Sequence, residues 1–295
     1  MHIVTLGDAS SDLEAQFVPE AGMIGISLTD AGVQLLGQRR GLDAYVADGK
    51  TMGIPILYPW ANRLGGNTYT AEGTTVTLAA GHDGVRADPN GLPIHGVLAA
   101  YPNWRVTHES ANELTAEANF GDQDLLASFP FPHRLALTVT LTERTLRVRS
   151  SVAPTGDRPV PLCFGFHPYL QLPGVRRDQW IIETPAMRHL KLDERGLPTG
   201  ETTLQPAITE ALGDKAFDDG YDEVPDDAVF AVSGGDRRIE VHFEQGYPAA
   251  QIFAPLSEDV VCFEPMAAPT DALRRGGYLS APPGDWGVAQ FSIRA

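Results

Sequence analysis

The stretch Arg134-Leu135-Ala136-Leu137-Thr138-Val139-Thr140-Leu141 decides the fold class. Leu135, Leu137, Val139 and Leu141 share one face of an extended chain, and Arg134, Thr138 and Thr140 take the other, because successive strand side chains point to opposite sides. The polar corner Thr142-Glu143-Arg144-Thr145 follows and reads as a hairpin turn into a second strand, Thr145–Val152. The alternation returns at Arg238–Glu244, where Ile239, Val241 and Phe243 interleave with Arg238, Glu240, His242 and Glu244. Similar runs recur at Met23–Leu28, Thr75–Leu78, Trp104–His108, Glu113–Phe120, Ala228–Val232, Ala249–Ala254, Val260–Glu264 and Gly287–Ile293, with turn signals between them.

No segment carries a helical stripe of three turns. Ala31–Leu42 comes nearest, and Gly32, Gly37 and Gly41 weaken it. The chain therefore reads as all-β, a large antiparallel β-sandwich with few short helices. Residues 1–295 read as a single domain, since neither an internal repeat nor a low-complexity linker divides them. Leu192–Pro225, rich in Gly, Pro, Thr and Asp, lacks strand pattern and reads as a long loop or lid.

Composition narrows the function. Hydrophobic residues make up 43% and charged residues 20% of the chain, as in ordinary folded proteins. Lys and Arg total 22 against 38 Asp and Glu, a net charge of −16, which repels nucleic acid and anionic membranes and disfavours both as partners. Cys163 and Cys262 cannot build a disulfide framework and fit a reducing compartment. The N-terminus lacks a basic segment followed by an apolar run, and the uncharged stretch around Pro159–Val175 is broken by Pro161, Pro168 and Pro173. The expectation is a cytoplasmic protein, monomeric or homodimeric.

Nucleotide-loop, nucleophile-elbow and His-Glu-x-x-His signatures are all missing. What remains is a set of polar residues among aromatics. Tyr58-Pro59-Trp60-Ala61-Asn62-Arg63-Leu64-Gly65-Gly66-Asn67 places a guanidinium fork after an aromatic approach, which suits a polyhydroxylated ligand or a carboxylate. On its own the segment also fits a surface turn. Leu92-Pro93-Ile94-His95-Gly96 holds an imidazole that fits a hydrogen-bonded core histidine equally well. In Cys163-Phe164-Gly165-Phe166-His167-Pro168-Tyr169-Leu170, His167 sits in a charge-free aromatic segment that favours neutral imidazole, poised as acid or base. In Val260-Val261-Cys262-Phe263-Glu264-Pro265-Met266, Glu264 ends an apolar strand, where a carboxylate is costly unless paired or solvated. Ala216-Phe217-Asp218-Asp219-Gly220-Tyr221-Asp222 sets three carboxylates beside aromatics, a pattern also typical of turns. Together these residues supply what a sugar pocket needs: a ring to stack on, hydroxyl partners and one acid–base pair.

Asn62-Arg63-Leu64…Tyr69, Ile94-His95-Gly96, Gly165-Phe166-His167-Pro168-Tyr169-Leu170, Phe217-Asp218 and Phe263-Glu264-Pro265-Met266 together resemble the aldose 1-epimerase (galactose mutarotase) family, in the family's order and across most of the chain. The resemblance implies a galactose mutarotase-like supersandwich with a monosaccharide pocket on one concave sheet face. It implies Glu264 as general base and His167 as general acid, with Arg63, His95 and Asp218 binding the sugar and Asn62 assisting. Trp60, or another of these aromatics, is the candidate for stacking on the sugar ring. Asn67 stands where the family usually has Gly, and Leu170 where it often has Phe. Asp219 and Asp222 leave open which aspartate matches.

Mutarotation needs one proton taken from the anomeric hydroxyl and one given to the ring oxygen. Glu ionises ordinarily near ~4.3 and His near ~6.5, so Glu264 is expected to start as carboxylate and His167 as N–H donor. No cofactor or metal is required. Competing readings are a hexose-phosphate 1-epimerase, with Arg39-Arg40 or Arg274-Arg275 for the phosphate; a non-catalytic sugar-binding or sensor protein; and a metal hydrolase using His95, His167 and Glu264 as ligands.

Overall fold

A computed structural model describes residues 1–81 and 84–295. Arg134–Leu141 lies within the strand His133–Thr142, and Leu135, Leu137, Val139 and Leu141 are all fully buried. It pairs antiparallel with Thr145–Pro154 through the expected corner. Glu143 and Arg144 both take positive φ, 51° and 59°, as a two-residue hairpin turn demands. Neither is glycine; the Asp8 carboxylate accepts both of their N–H groups, at 3.2 and 2.7 Å, and holds the turn.

Two large antiparallel sheets dominate. One has nine strands and includes His133–Thr142, Thr145–Pro154, Gly287–Arg294, Arg237–Gln245 and Ala228–Gly234. The other has eight and runs from Pro198–Gln205 through Met187–Leu192, Phe217–Asp222, Ala249–Ala254 and Val261–Met266 to Gly165–Phe166 and Ile56–Leu57. Their facing sides make the sandwich core: Phe230 packs on Phe263 at 5.5 Å between ring centroids, and Phe166 on Phe291 at 5.0 Å. A four-stranded sheet, Val4–Gly7, Leu13–Val18, Ile24–Asp30 and Val33–Gln34, adds to these. The α-helices, Gly41–Asp48, Gln123–Ser128 and Ala272–Arg275, are short, and among the described residues no helix is long and apolar enough to cross a membrane.

Leu192–Pro225 is not a loop. It contains the strands Pro198–Gln205, Ile208–Ala211 and Phe217–Asp222. The first two are edge strands of the two large sheets, and every residue in them is exposed or half-buried. An edge strand joins its neighbour through the backbone, so with no buried face it needs no apolar alternation. The only helix near Ala31–Leu42 begins at Gly41, after a strand–turn–strand over residues 24–34.

Alternation also orients the site. Along Val261–Met266, Phe263 enters the core, so Cys262 and Glu264 face away from it. In the neighbouring strands Gln251 is the register partner of Glu264, and Asp218 that of Phe253. Glu264, Gln251, Phe253 and Asp218 therefore share the outer face of the eight-stranded sheet.

Candidate active site

Two connecting segments roof that face. Tyr58–Leu64 and Pro93–Val97 zip together: His95 N–H donates to Asn62 O at 2.8 Å, Leu64 N–H to Pro93 O at 2.8 Å and Val97 N–H to Tyr58 O at 2.8 Å. Gly96 is required here. Its φ is 65°, and a Cβ would lie 1.9 Å from the Tyr58 carbonyl oxygen. Asn62 also has positive φ, 53°, so its contribution is to the turn that places Arg63 and His95 side by side.

Arg63 is held by an almost fully buried partner. Its Nε donates to Asp88 Oδ2 at 3.0 Å, while Asp88 Oδ1 accepts N–H groups from Asn90 and Leu92. The Nη1 end passes over Gly196, where a Cβ would sit 2.3 Å from it. Asp88 and Gly196 thus fix the orientation of the fork.

His167 and Glu264 meet. His167 Nε2 lies 3.1 Å from Glu264 Oε1, and both side chains are more than nine-tenths buried. The Tyr169 hydroxyl is 3.2 Å from the same nitrogen, and the two rings stack at 4.3 Å. Tyr169 is in turn fixed by Thr51 at 2.7 Å and Arg39 at 3.1 Å. His95 stands perpendicular to His167, ring centroids 5.9 Å apart, and neither Nδ1 has a hydrogen-bond partner among the described residues. Phe253, half-buried, presents its ring 5.6 Å from His167.

Electrostatics differ from the sequence expectation at Glu264, expected as a carboxylate, and agree with it at His167, expected as a neutral imidazole. Burial raises the Glu264 carboxyl well above its ordinary range, Asp218 pushes the same way, and Arg63 opposes them. Burial also holds His167 well below its ordinary value, with Arg39 adding to the effect. Both trends disfavour charge, which favours a pair with one proton on Glu264 and none added to His167. His95 is held down by burial and by neighbouring His167, and stays neutral.

The three aspartates separate. Asp218 accepts from Gln251 Nε2 at 2.7 Å on the Glu264 face. Asp219 points to the opposite face and meets His189 at 3.3 Å. Asp222 is bound bidentately by Arg188. Trp60 is a correction: its side chain is packed in the main core at 1% exposure and offers no surface to a ligand. Its position between Pro59 and Ala61, bridged to Cys163, turns the ring inward. The half-buried aromatic at the site is Phe253. Cys163 and Cys262 are free and buried.

Gln251, Phe253 and Tyr169 were not assigned from the sequence. The available signal for Gln251 was its being the sole polar residue of Ala249-Ala250-Gln251-Ile252-Phe253-Ala254. Among the described residues, no group of three or more His, Cys, Asp or Glu side chains is arranged to hold a metal ion.

The site thus sets the imidazole–carboxylate pair beside an arginine and a second imidazole on the outer face of a β-sandwich sheet. The chain belongs to the aldose 1-epimerase family, whose profile matches residues 14–284. It is 24% identical over 231 residues to the uncharacterized protein YihR of Escherichia coli K12, covering 75% of this chain and 71% of that one. Among solved structures it resembles Slr1438 from Synechocystis sp. PCC 6803 with a TM-score of 0.80 at 23% identity, covering 99% and 95% of the two chains. A putative aldose 1-epimerase from Escherichia coli K12 gives 0.78 at 21%, covering 99% and 98%. A galactose mutarotase-like protein from Clostridium acetobutylicum gives 0.82 at 16%, covering 96% and 92%.

Proposed function

We propose that the protein, acting as one domain, interconverts the α- and β-anomers of a free aldose, with Glu264 as base and His167 as acid. The observation that carries this is the 3.1 Å separation of His167 Nε2 and Glu264 Oε1. The anomeric O1 and the ring O5 are bonded to the same carbon, so two groups one hydrogen-bond length apart match them when the C1 edge of the sugar lies against the pair.

The pair holds one proton. Its transfer from Glu264 to His167 gives carboxylate and imidazolium without changing the net charge. Glu264 then takes the proton of O1–H as the C1–O5 bond breaks. The bond's electrons go to O5, which receives the proton of His167. The product is the open-chain aldehyde. Rotation about C1–C2 exposes the other carbonyl face, and closure reverses both transfers. Each positioned acid or base contributes roughly 10²–10⁴-fold. Arg63, His95 and Asp218 bind hydroxyls around the ring, and Phe253 supplies the stacking surface.

The test is anomer exchange measured by NMR over a panel of aldoses. Acceleration above the buffer rate is expected for at least one sugar; a panel in which no sugar is accelerated refutes the assignment.

A further inference from the structure

A single row of cross-strand partners leaves the catalytic carboxylate and crosses the outer face of the eight-stranded sheet. Glu264 is paired with Gln251, Gln251 with Gly220, Gly220 with Leu190 and Leu190 with Thr202. Directly paired residues point to the same side of a sheet, so all five positions share the face of the catalytic pair. The row ends in a cavity of about 430 Å³ whose lining includes Leu190, Pro198, Thr202, Pro269, Thr270 and Arg275.

Floor and roof both join this cavity to the site. Gly220 stands midway along the row. A Cβ there would lie 3.3 Å from Gln251 Oε1 and 4.0 Å from Leu190 Cδ1, so a larger residue would fill the step between site and cavity. Gln251 is 1% exposed; its Nε2 is spent on Asp218, and its Oε1 has no partner among the described residues. On the roof, Gly196, in the turn between the two cavity strands Met187–Leu192 and Pro198–Gln205, lies against Arg63 Nη1. Asp271, next to Thr270, accepts the Gly65 N–H at 2.7 Å.

The lining suits a neutral polyol. Its carboxylates are already matched: Arg188 binds Asp222, and Lys191 binds Glu201 at 2.7 Å. Arg275 donates to Pro198 O. Leu190, Pro198 and Pro269 offer apolar surface for the C–H face of a sugar, and the Thr202 and Thr270 hydroxyls offer hydrogen bonds.

We infer that this cavity receives a second saccharide residue, linked to O3 or O4 of an aldose whose C1 lies at the catalytic pair. The inference deepens the mutarotase reading and rests on it. His167 comes from the far side of the Glu264 strand: its flanking strands, Gly165–Phe166 and Tyr169–Leu170, pair with Val261–Met266 on the edge opposite Ala249–Ala254. O5 faces His167, so C5 and the exocyclic carbon lie on that side. C2 and C3 then point the other way, along the row toward Asp218 and the cavity. Leu190 stands three strands from Glu264, roughly 14 Å at the usual strand spacing. One pyranose does not cover that distance; two linked ones do.

The experiment measures anomer exchange by NMR and binding by calorimetry for glucose, laminaribiose, cellobiose and gentiobiose, with the wild type, Thr202→Trp and Gly220→Val. Laminaribiose or cellobiose, linked through O3 and O4, should exceed glucose roughly tenfold in kcat/KM and in affinity, the effect of one or two added hydrogen bonds. Gentiobiose, linked through O6, should gain nothing. Thr202→Trp fills the cavity and Gly220→Val the step, so each should lower the ratio to glucose by a comparable factor. Thr202 is exposed on an edge strand, so its variant reports even where Gly220→Val folds poorly. Glucose handled as well as every diglucoside, a gain shared by gentiobiose, or ratios unmoved by Thr202→Trp overturns the subsite and leaves the mutarotase reading intact. Laminaribiose binding that Thr202→Trp weakens, with no sugar anomerised, supports the subsite and removes the mutarotase reading. Failure of all four sugars to bind overturns the subsite as well.

Discussion

Gln251 donates its amide N–H to Asp218 at 2.7 Å. The same residue lies directly across the strand ladder from Glu264. One side chain therefore ties Asp218 to the strand position directly across from Glu264. Gln251→Leu frees Asp218, whose charge already raises Glu264. The expected result is a higher KM, by roughly tenfold for the loss of a charge-assisted contact, with a smaller change in kcat. Steady-state kinetics on the best sugar of the panel measures the split; an unchanged KM removes Gln251 from any positioning role.

Glu264→Gln and His167→Asn each delete one partner in the proton exchange. Each should lower kcat by roughly 10²–10⁴-fold. Because the two residues act as a unit, the double variant should be little worse than either single one. Polarimetry gives the rates, and circular dichroism checks that the fold is kept. Wild-type rates in both single variants would falsify the assignment.

The pair's protonation predicts the pH profile. The working form carries one proton between Glu264 and His167. Glu264 is raised and His167 lowered, so the second proton joins only in acid and the first leaves only above the ordinary carboxylate range. The kcat/KM should therefore hold a broad plateau around neutrality. It should not fall as pH drops through ~6.5, the ordinary histidine value. A descending acid limb centred there would mean that an exposed, unperturbed histidine controls the reaction.

Much of this site was legible because its chemistry contradicts its surroundings. Glu264 in an apolar strand and His167 among aromatics stand out in one dimension, and strand alternation fixes the face that each takes. Trp60 was misread because a large aromatic beside Asn62-Arg63 satisfies both a sugar platform and a core position, and only the packing of the Cys163 segment against it decides between them. The edge strands Pro198–Gln205 and Ile208–Ala211 were invisible because their stability comes from backbone pairing, which carries no side-chain code. Asp218 could not be separated from Asp219 and Asp222 until register set Asp219 on the other face and the Arg188 fork was seen to take up Asp222.

A last prediction concerns a histidine outside the site. His133 is fully buried, stacks on Phe120 at 4.4 Å and contacts Phe131 O through Nδ1 and the Tyr58 hydroxyl through Nε2. A carbonyl only accepts, so Nδ1 carries the proton and Nε2 accepts from Tyr58. Burial lowers its pKa from 6.5 to about 4. Between those values the unfolded chain binds a proton that the folded chain refuses, so stability rises with pH across that window and is lost as pH falls from 6.5 toward 4. The total is about 3 kcal/mol on an order-of-magnitude basis, at roughly 1.4 kcal/mol per pH unit. His133→Phe removes the proton site and leaves the Tyr58 hydroxyl unpaired, at a cost of about 1–3 kcal/mol near neutrality. Urea unfolding at several pH values between 4 and 6.5 should show the variant less stable than wild type at the upper end and converging on it at the lower end. Parallel stability curves would show that His133 does not supply this part of the acid sensitivity.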